Sequence, residues 1–253
     1  MMFVDERHQK ILEILDEEKS VDIHYLKQVL AVSEPTIRND LRFLESENKL
    51  QRIHGGAIQL PKTKEVSYSQ RAVVRQSEKE RIGRAAREFI QKGETVFLDA
   101  GSTIMALAEQ LPSGFEFNAV TAALHIALEA GKHPNVSVHL VGGMLRSSLQ
   151  ELIGPKAIQG IREVHAHKVF LSISGVDLAK GITENHVFSA EVKKAMVESA
   201  DQVILLADSS KMGKVYFADV LPLTEVDVII TDSGISPEFH QSLLDMGVEV
   251  IIA

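Results

Sequence analysis

Residues 33–42 read Ser-Glu-Pro-Thr-Ile-Arg-Asn-Asp-Leu-Arg, a run whose polar members could read a nucleic acid. If Ile37, Leu41 and Leu44 turn inward at helical spacing, Thr36, Arg38, Asn39 and Arg42 fall on or near the outer face. Arginine suits guanine and phosphate, asparagine suits adenine, and threonine suits a phosphate or a thymine methyl. Ser33 suits the N-cap, because its hydroxyl can accept from the free N–H groups of the next turn. Glu34 suits the positive helix end, and Pro35 is tolerated in the first turn. A second set of chemistry-bearing residues lies further along. Asp99-Ala100-Gly101-Ser102-Thr103 brings a carboxylate and two hydroxyls to a strand–helix junction, where Gly101 allows close approach and the helix N-terminus offers a phosphate cradle. Gly142 and Gly143, with Arg146, form either a second anion contact or a simple tight turn. Asp177 could accept from sugar hydroxyls. Asp208, Ser210 and Lys211 share one loop, where Lys211 either grips phosphate or pairs with Asp208. Together these blocks suit a polyhydroxyl ligand carrying a phosphate.

Three helices and a hairpin are needed to position the first set. Val4, Ile11 and Leu15 define a helix over about 5–18, and Ile23, Leu26 and Leu30 a second over 22–30. Ala31-Val32 makes the turn into the third. Lys49 to Ile53 alternates like a strand, His54-Gly55-Gly56 can supply the positive φ angles of a tight turn, and Ala57 to Leu60 can return as its partner. The layout is a winged helix-turn-helix, which places one helix in the major groove of double-stranded DNA, with Arg52, His54 and Gly55 at the wing.

The second set needs a different scaffold. A connector is expected over 61–76, then a helix capped by Ser77 with Ile82, Ala85, Ala86, Phe89 and Ile90 on its buried face. After Gly93, apolar runs alternate with helical segments. Strands are expected near 95–99, 117–121, 136–141, 168–174, 203–207, 226–231 and 248–252, and helices near 104–111, 124–131, 150–161, 190–200 and 237–246. This alternation predicts an α/β domain with a mostly parallel sheet covered on both faces. Ligands bind such sheets beyond the carboxyl ends of the strands. The expected domains are a DNA-binding head over 1–60, a linker over 61–76, and an effector-binding and oligomerisation domain over 77–253.

Ser33 to Leu41, with Arg52-Ile53-His54-Gly55-Gly56-Ala57, resembles the amino-terminal signature of the DeoR family of bacterial transcription regulators, mostly repressors of sugar catabolism. The four downstream blocks resemble the family's effector-domain blocks in the same order, so the likeness spans nearly all 253 residues. It implies a phosphorylated sugar as effector, with Thr121 added to the contacts, and an effector domain resembling the fold of ribose-5-phosphate isomerase. The chain departs from the family at Asn39, where a second Arg is usual, and at Ile104 and Ala122, where a Thr hydroxyl and an Asn amide are lost. Those changes bear on the DNA sequence read and on the effector.

Composition bounds the alternatives. With no cysteine, disulfides and thiolate metal sites are excluded. His165 and His167 alternate before a strand without a nearby metal-ligand partner, and no cofactor is expected. No stretch reaches the ~20 apolar residues of a membrane span, and the charged start does not read as a signal peptide, so a cytoplasmic protein without membrane contact is expected. The net charge of −8 is uneven. Residues 1–60 carry 8 Lys/Arg against 11 Asp/Glu, residues 61–92 carry 9 against 4, and residues 93–253 carry 10 against 20. A head without basic excess needs local geometry at Arg38, Arg42, Lys49 and Arg52, and a homo-oligomer, dimer or tetramer, to double its contacts. Two other readings compete with the expected carbohydrate-operon repressor. One is an isomerase using Asp177 or Glu191 as base, set against by the Lys180-Gly181-Ile182-Thr183 run and the fused head. The other is a DNA-binding protein whose second domain serves assembly alone.

Overall fold

The computed structural model describes residues 4–18, 20–47, 49–53, 55–58 and 68–253, and the chain divides into two compact units, Met1–Glu65 and Val66–Ala253. In the first unit, α1 (Val4–Glu18) is followed by β1 (Ser20–Asp22), α2 (Ile23–Leu30), α3 (Glu34–Ser46), β2 (Gln51–Ile53) and β3 (Gly56–Ile58). The three helices form because their apolar residues converge: Ile11, Leu15, Leu26, Leu30, Ile37, Leu41 and Leu44 are all buried. Asp22 caps α2 by accepting from the Tyr25 N–H at 2.8 Å, and Ala31 turns the chain in the left-handed region at φ 53°. The wing is three-stranded, in the order β1-β3-β2. Sequence periodicity did not reveal β1, since a three-residue strand whose partner lies more than thirty residues away carries no local signal. Of the expected wing-turn residues, Gly55 has the positive φ (86°). Gly56 serves close approach instead: a Cβ there would stand 2.1 Å from the Val21 carbonyl oxygen of β1. His54 lies outside the described residues.

The second unit begins with α4 (Tyr68–Val73) and α5 (Gln76–Arg87). Part of the expected connector is therefore helical, and Ser77 does not cap α5, which starts one residue earlier behind Arg75 in the left-handed region. There follow β4 (Thr95–Leu98), α6 (Ser102–Ala108), β5 (Phe117–Thr121), α7 (Leu124–Ala130), β6 (Val136–Leu140), β7 (Met144–Arg146), β8 (Glu151–Ile153), α8 (Pro155–Arg162) and β9 (Ala166–Ser172). The chain ends through β10 (Gly175–Asp177), β11 (Gly181–Glu184), α9 (Val187–Glu198), β12 (Ala200–Leu206), β13 (Ala218–Leu221), β14 (Val228–Thr231), α10 (Pro237–Asp245) and β15 (Glu249–Ile252).

Seven of these strands make one sheet in the order β15-β14-β12-β9-β4-β5-β6, and every pairing in it is parallel. Alternate residues along each strand feed two cores. Phe97, Val169 and Leu205 join Ala157, Ile161, Ala190 and Leu243 under α8, α9 and α10. Val96, Leu98, Phe170 and Ile204 join Ile82, Ala86, Ile104 and Ile126 under α5, α6 and α7. Two-sided burial explains why the strands read as continuous apolar runs.

The helix expected over 150–161 is in fact a strand and a helix. Gln150 (φ 53°) and Gly154 (φ 88°) interrupt the helical backbone, β8 pairs with β7, and α8 starts at Pro155. Leu152, Ile153, Ala157 and Ile161 fit a helical stripe only if these two breaks are ignored. A second small antiparallel sheet, β10-β11-β13, takes the Gly175-Val176-Asp177 block out of the parallel sheet altogether.

Candidate functional site

In the first unit, α3 presents one polar face. Ser33 caps it, accepting from the Thr36 N–H at 3.4 Å, and the two hydroxyls lie 2.8 Å apart. Arg38, Asn39 and Arg42 are exposed and Thr36 is half-buried. Arg38 reaches Glu34 at 2.7 Å, and the Arg42 guanidinium donates to the side-chain Oδ1 of Asn39 at 3.1 Å. Glu45 ties the wing to α3: it accepts from the Arg52 N–H at 2.9 Å, and its other oxygen lies 3.6 Å from the Arg52 guanidinium.

The inner side of α3 holds a residue that the sequence reading left unassigned. Asp40, 5% exposed, accepts from Arg7 at 2.6 and 2.8 Å and lies 3.0 Å from His8 Nε2, so it clamps α3 to α1. Burial pushes its carboxyl pKa up, but the hydrogen bonds and charge of Arg7 and His8 outweigh this and hold it below the usual carboxylate value. The clamp fixes the angle at which Arg38, Asn39 and Arg42 leave the domain.

In the second unit, a cleft of about 280 Å³ opens beyond the carboxyl ends of β4, β9 and β12. Gly101, Ser102, Thr103, Asp208, Ser210 and Lys211 line it, so two of the expected blocks converge. Gln70, Arg71, Val74, Lys79, Ser172, Ile173, Ser174, Asn185 and Tyr216 complete the lining, and none of these was singled out from sequence. Arg71, Lys79 and Lys211 face a single lining carboxylate, Asp208, which itself accepts from the Ser210 N–H at 3.0 Å and lies 3.7 Å from Arg75 Nη1. Burial pushes the Lys79 and Lys211 pKa values below the usual lysine value, with Asp208 opposing in both cases. Also in the lining, the amide of Asn185 donates to the Ser174 hydroxyl at 3.1 Å, and Ser174 in turn donates to the buried Glu184.

The remaining expected contacts lie elsewhere. Asp99 sits beneath the lining, accepting from the Ser172 N–H at 2.9 Å and paired with Lys193. Burial opposes the Lys193 charge, but Asp99, Glu184 and Glu151 around it push its pKa above the usual value. Thr121 is fully buried and accepts from the Ala123 N–H at 3.0 Å. Arg146 belongs to the β7–β8 hairpin with Gly142 and Gly143 before it, bonding Glu151 at 3.0 Å and also Ser189. Asp177 accepts from the Ala179 and Lys180 N–H groups at 3.0 and 2.9 Å, capping the β10–β11 turn. Ile104 and Ala122 are packed in the two apolar cores, so these departures change the packing layer beneath the rim.

The family model for the DeoR-like helix-turn-helix domain matches residues 7–63, and that for the DeoR C terminal sensor domain matches residues 74–233. The chain belongs to the DeoR family. It is 37% identical over 250 residues to the uncharacterized HTH-type transcriptional regulator YulB of Bacillus subtilis (strain 168), across 98% of this chain and 96% of that one. It is 34% identical over 253 residues to the HTH-type transcriptional repressor GlcR of the same organism, across 99% and 97%. Among solved structures, it is similar to ribose 5-phosphate isomerase A from Methanocaldococcus jannaschii, at 12% identity and TM-score 0.41 over 54% of each chain. This DeoR-family member is a DNA-binding transcription regulator with a sensor domain, and not an enzyme. None of its described helices is long and apolar enough to cross a membrane.

Proposed function

We propose that this regulator represses an operon of carbohydrate use and that a phosphorylated sugar, bound in the sensor cleft, controls its hold on operator DNA. The observation that carries the reading is the meeting of three cations, Arg71, Lys79 and Lys211, with the hydroxyls of Ser102, Thr103 and Ser174 and the Asn185 amide in one cleft. The cations match a phosphate, and the hydroxyl and amide groups match a polyol. The repressor name of the GlcR relative supports the sign of regulation. On the DNA side, Thr36, Arg38, Asn39 and Arg42 read or grip the major groove behind the Ser33 cap, while Arg52, His54 and Gly55 approach the backbone or minor groove. A homo-oligomer working in the cytoplasm supplies two or more heads to one operator.

A mobility-shift assay on DNA upstream of the regulator's own operon tests this, with and without a panel of sugar phosphates. The expected result is a specific shift relieved or strengthened by one compound. Ser102→Ala with Lys211→Ala should keep the shift and lose the response. A specific shift that no compound alters, with no heat of binding by calorimetry, would remove the effector reading and leave the head standing.

A further inference from the structure

Lys79 is the least expected member of the cleft. It is 6% exposed on α5, and its ammonium donates to the carbonyl of Arg71 and, at 2.6 Å, to that of Val74. Arg71 lies in the last turn of α4 and Val74 just beyond it, where the carbonyls have no intrahelical N–H partners. An ammonium has three N–H donors. Among the described residues these two carbonyls are its hydrogen-bond acceptors, so one donor remains. Lys79 also lines the cleft beside Arg71 and Lys211. The nearby Asp208 carboxylate is already engaged by the Ser210 N–H and Arg75. A buried charge without a dedicated counter-ion is costly, and an anion in the cleft would supply one.

We propose that the anionic group of the effector takes the third Lys79 donor, so that Lys79 holds the ligand and the α4 carbonyls together and occupancy of the cleft orders α4. This rests on the anionic-effector reading given above. The position of α4 makes the consequence regulatory, because it is the element from which the chain runs back to the DNA-binding unit. Its N-terminal ties include the Tyr68 N–H to the Ser148 carbonyl at 3.0 Å, with the Tyr68 ring 4.2 Å from His125. Lys79 is among its C-terminal ties, beside Arg75, which donates to the Ser209 hydroxyl at 2.8 Å. Ligand binding therefore changes the order of the element at which the chain enters the sensor unit, without requiring the sheet to move.

Hydrogen exchange over residues 68–76 of the full-length protein, read by mass spectrometry, tests the coupling with inorganic phosphate and ribose 5-phosphate as probes, and calorimetry reads their binding. Both probes should bind the wild type and slow exchange over 68–76. Lys79→Met should weaken binding about tenfold or more, the worth of a charge-assisted contact. It should also abolish the protection even when excess probe refills the cleft. Lys211→Met should weaken binding as well, yet regain protection once the cleft is refilled. Wild-type binding without any slowing over 68–76 would overturn the coupling and leave the anion site intact. Wild-type affinity in Lys79→Met would reduce Lys79 to a helix cap. Failure of both probes to bind the wild type would sink the anion-site reading and this proposal with it. The wild-type exchange measurement stands whether or not the variants fold.

Discussion

Arg38 and His125 are single residues at which each unit can be tested. Arg38 is half exposed and already pairs with Glu34 at 2.7 Å. An exposed pair of this kind contributes little to stability, so its value lies in holding the guanidinium upright on α3. Arg38→Ala should leave the melting temperature of the head unchanged within error and cost about 1–3 kcal/mol of specific operator binding. Unchanged affinity in a fluorescence titration would take Arg38 off the reading surface. His125, on α7, is buried against Tyr68, and desolvation pushes its pKa down to about 4. In the unfolded chain it titrates near 6.5. Above that pH both states hold it neutral and it contributes nothing. As pH falls below about 6.5 the unfolded state binds a proton that the folded state refuses, so the sensor unit loses stability down to about pH 4. The loss amounts to about 3 kcal/mol there. Denaturant unfolding of the sensor unit at several pH values should show this slope in the wild type and a flatter one in His125→Phe. Parallel slopes would mean that other groups dominate.

At the scale of elements, the sensor unit depends on how closely its helices approach the sheet and each other. Gly83 on α5 faces α6, and a Cβ there would stand 2.6 Å from the Ala106 carbonyl group. Neither backbone can move without disturbing the core that includes Ile82, Ala86 and Ile104. Gly83→Ala should therefore cost about 1–3 kcal/mol through overpacking, despite the helix propensity gained. Chemical denaturation should show the loss confined to the sensor transition, and a more stable variant would mean that α5 has room to shift. The same non-local packing explains what the sequence could and could not convey. The helix-turn-helix was legible because its signals are local: the Ile37–Leu41–Leu44 stripe, the Ser33 cap and the Gly55 turn. The parallel strands were legible because burial on both faces makes them uniformly apolar. The β1 strand, the β7–β8 hairpin and the small β10-β11-β13 sheet were not, since each is defined by partners distant in sequence or by single backbone reversals such as Gln150 and Gly154. Half of the cleft was hidden for the same reason. Ser102 and Lys211 sit in recognisable blocks, whereas Arg71 and Lys79 enter the cleft only because α4 and α5 pack against α6. Asp99 and Asp177 have the right chemistry, but Lys193 and a turn already engage them.

On the scale of the whole molecule, the charge distribution decides how the regulator finds DNA. Residues 93–253 carry 10 Lys/Arg against 20 Asp/Glu, while the first 60 residues are themselves slightly acidic. Non-specific attraction is therefore weak, and affinity must come from a few placed cations. Arg38, Arg42, Lys49 and Arg52 are the candidates in each head. Two of them carry carboxylate partners, Glu34 and Glu45, which must be displaced or bypassed when a phosphate binds. Four phosphate contacts would give a slope of log affinity against log salt of about −3.6 per head, and about −7 for two heads on one operator. The intramolecular partners and any cation spent on a base edge reduce that magnitude, so a two-headed complex should show a slope no steeper than about −7. Measuring operator affinity across a range of potassium chloride concentrations checks this. A steeper slope would bring the 61–92 segment, with 9 Lys/Arg against 4 Asp/Glu, onto the DNA backbone. That segment includes α4 and α5, so a sensor that reorders α4 would then act on the phosphate contacts directly.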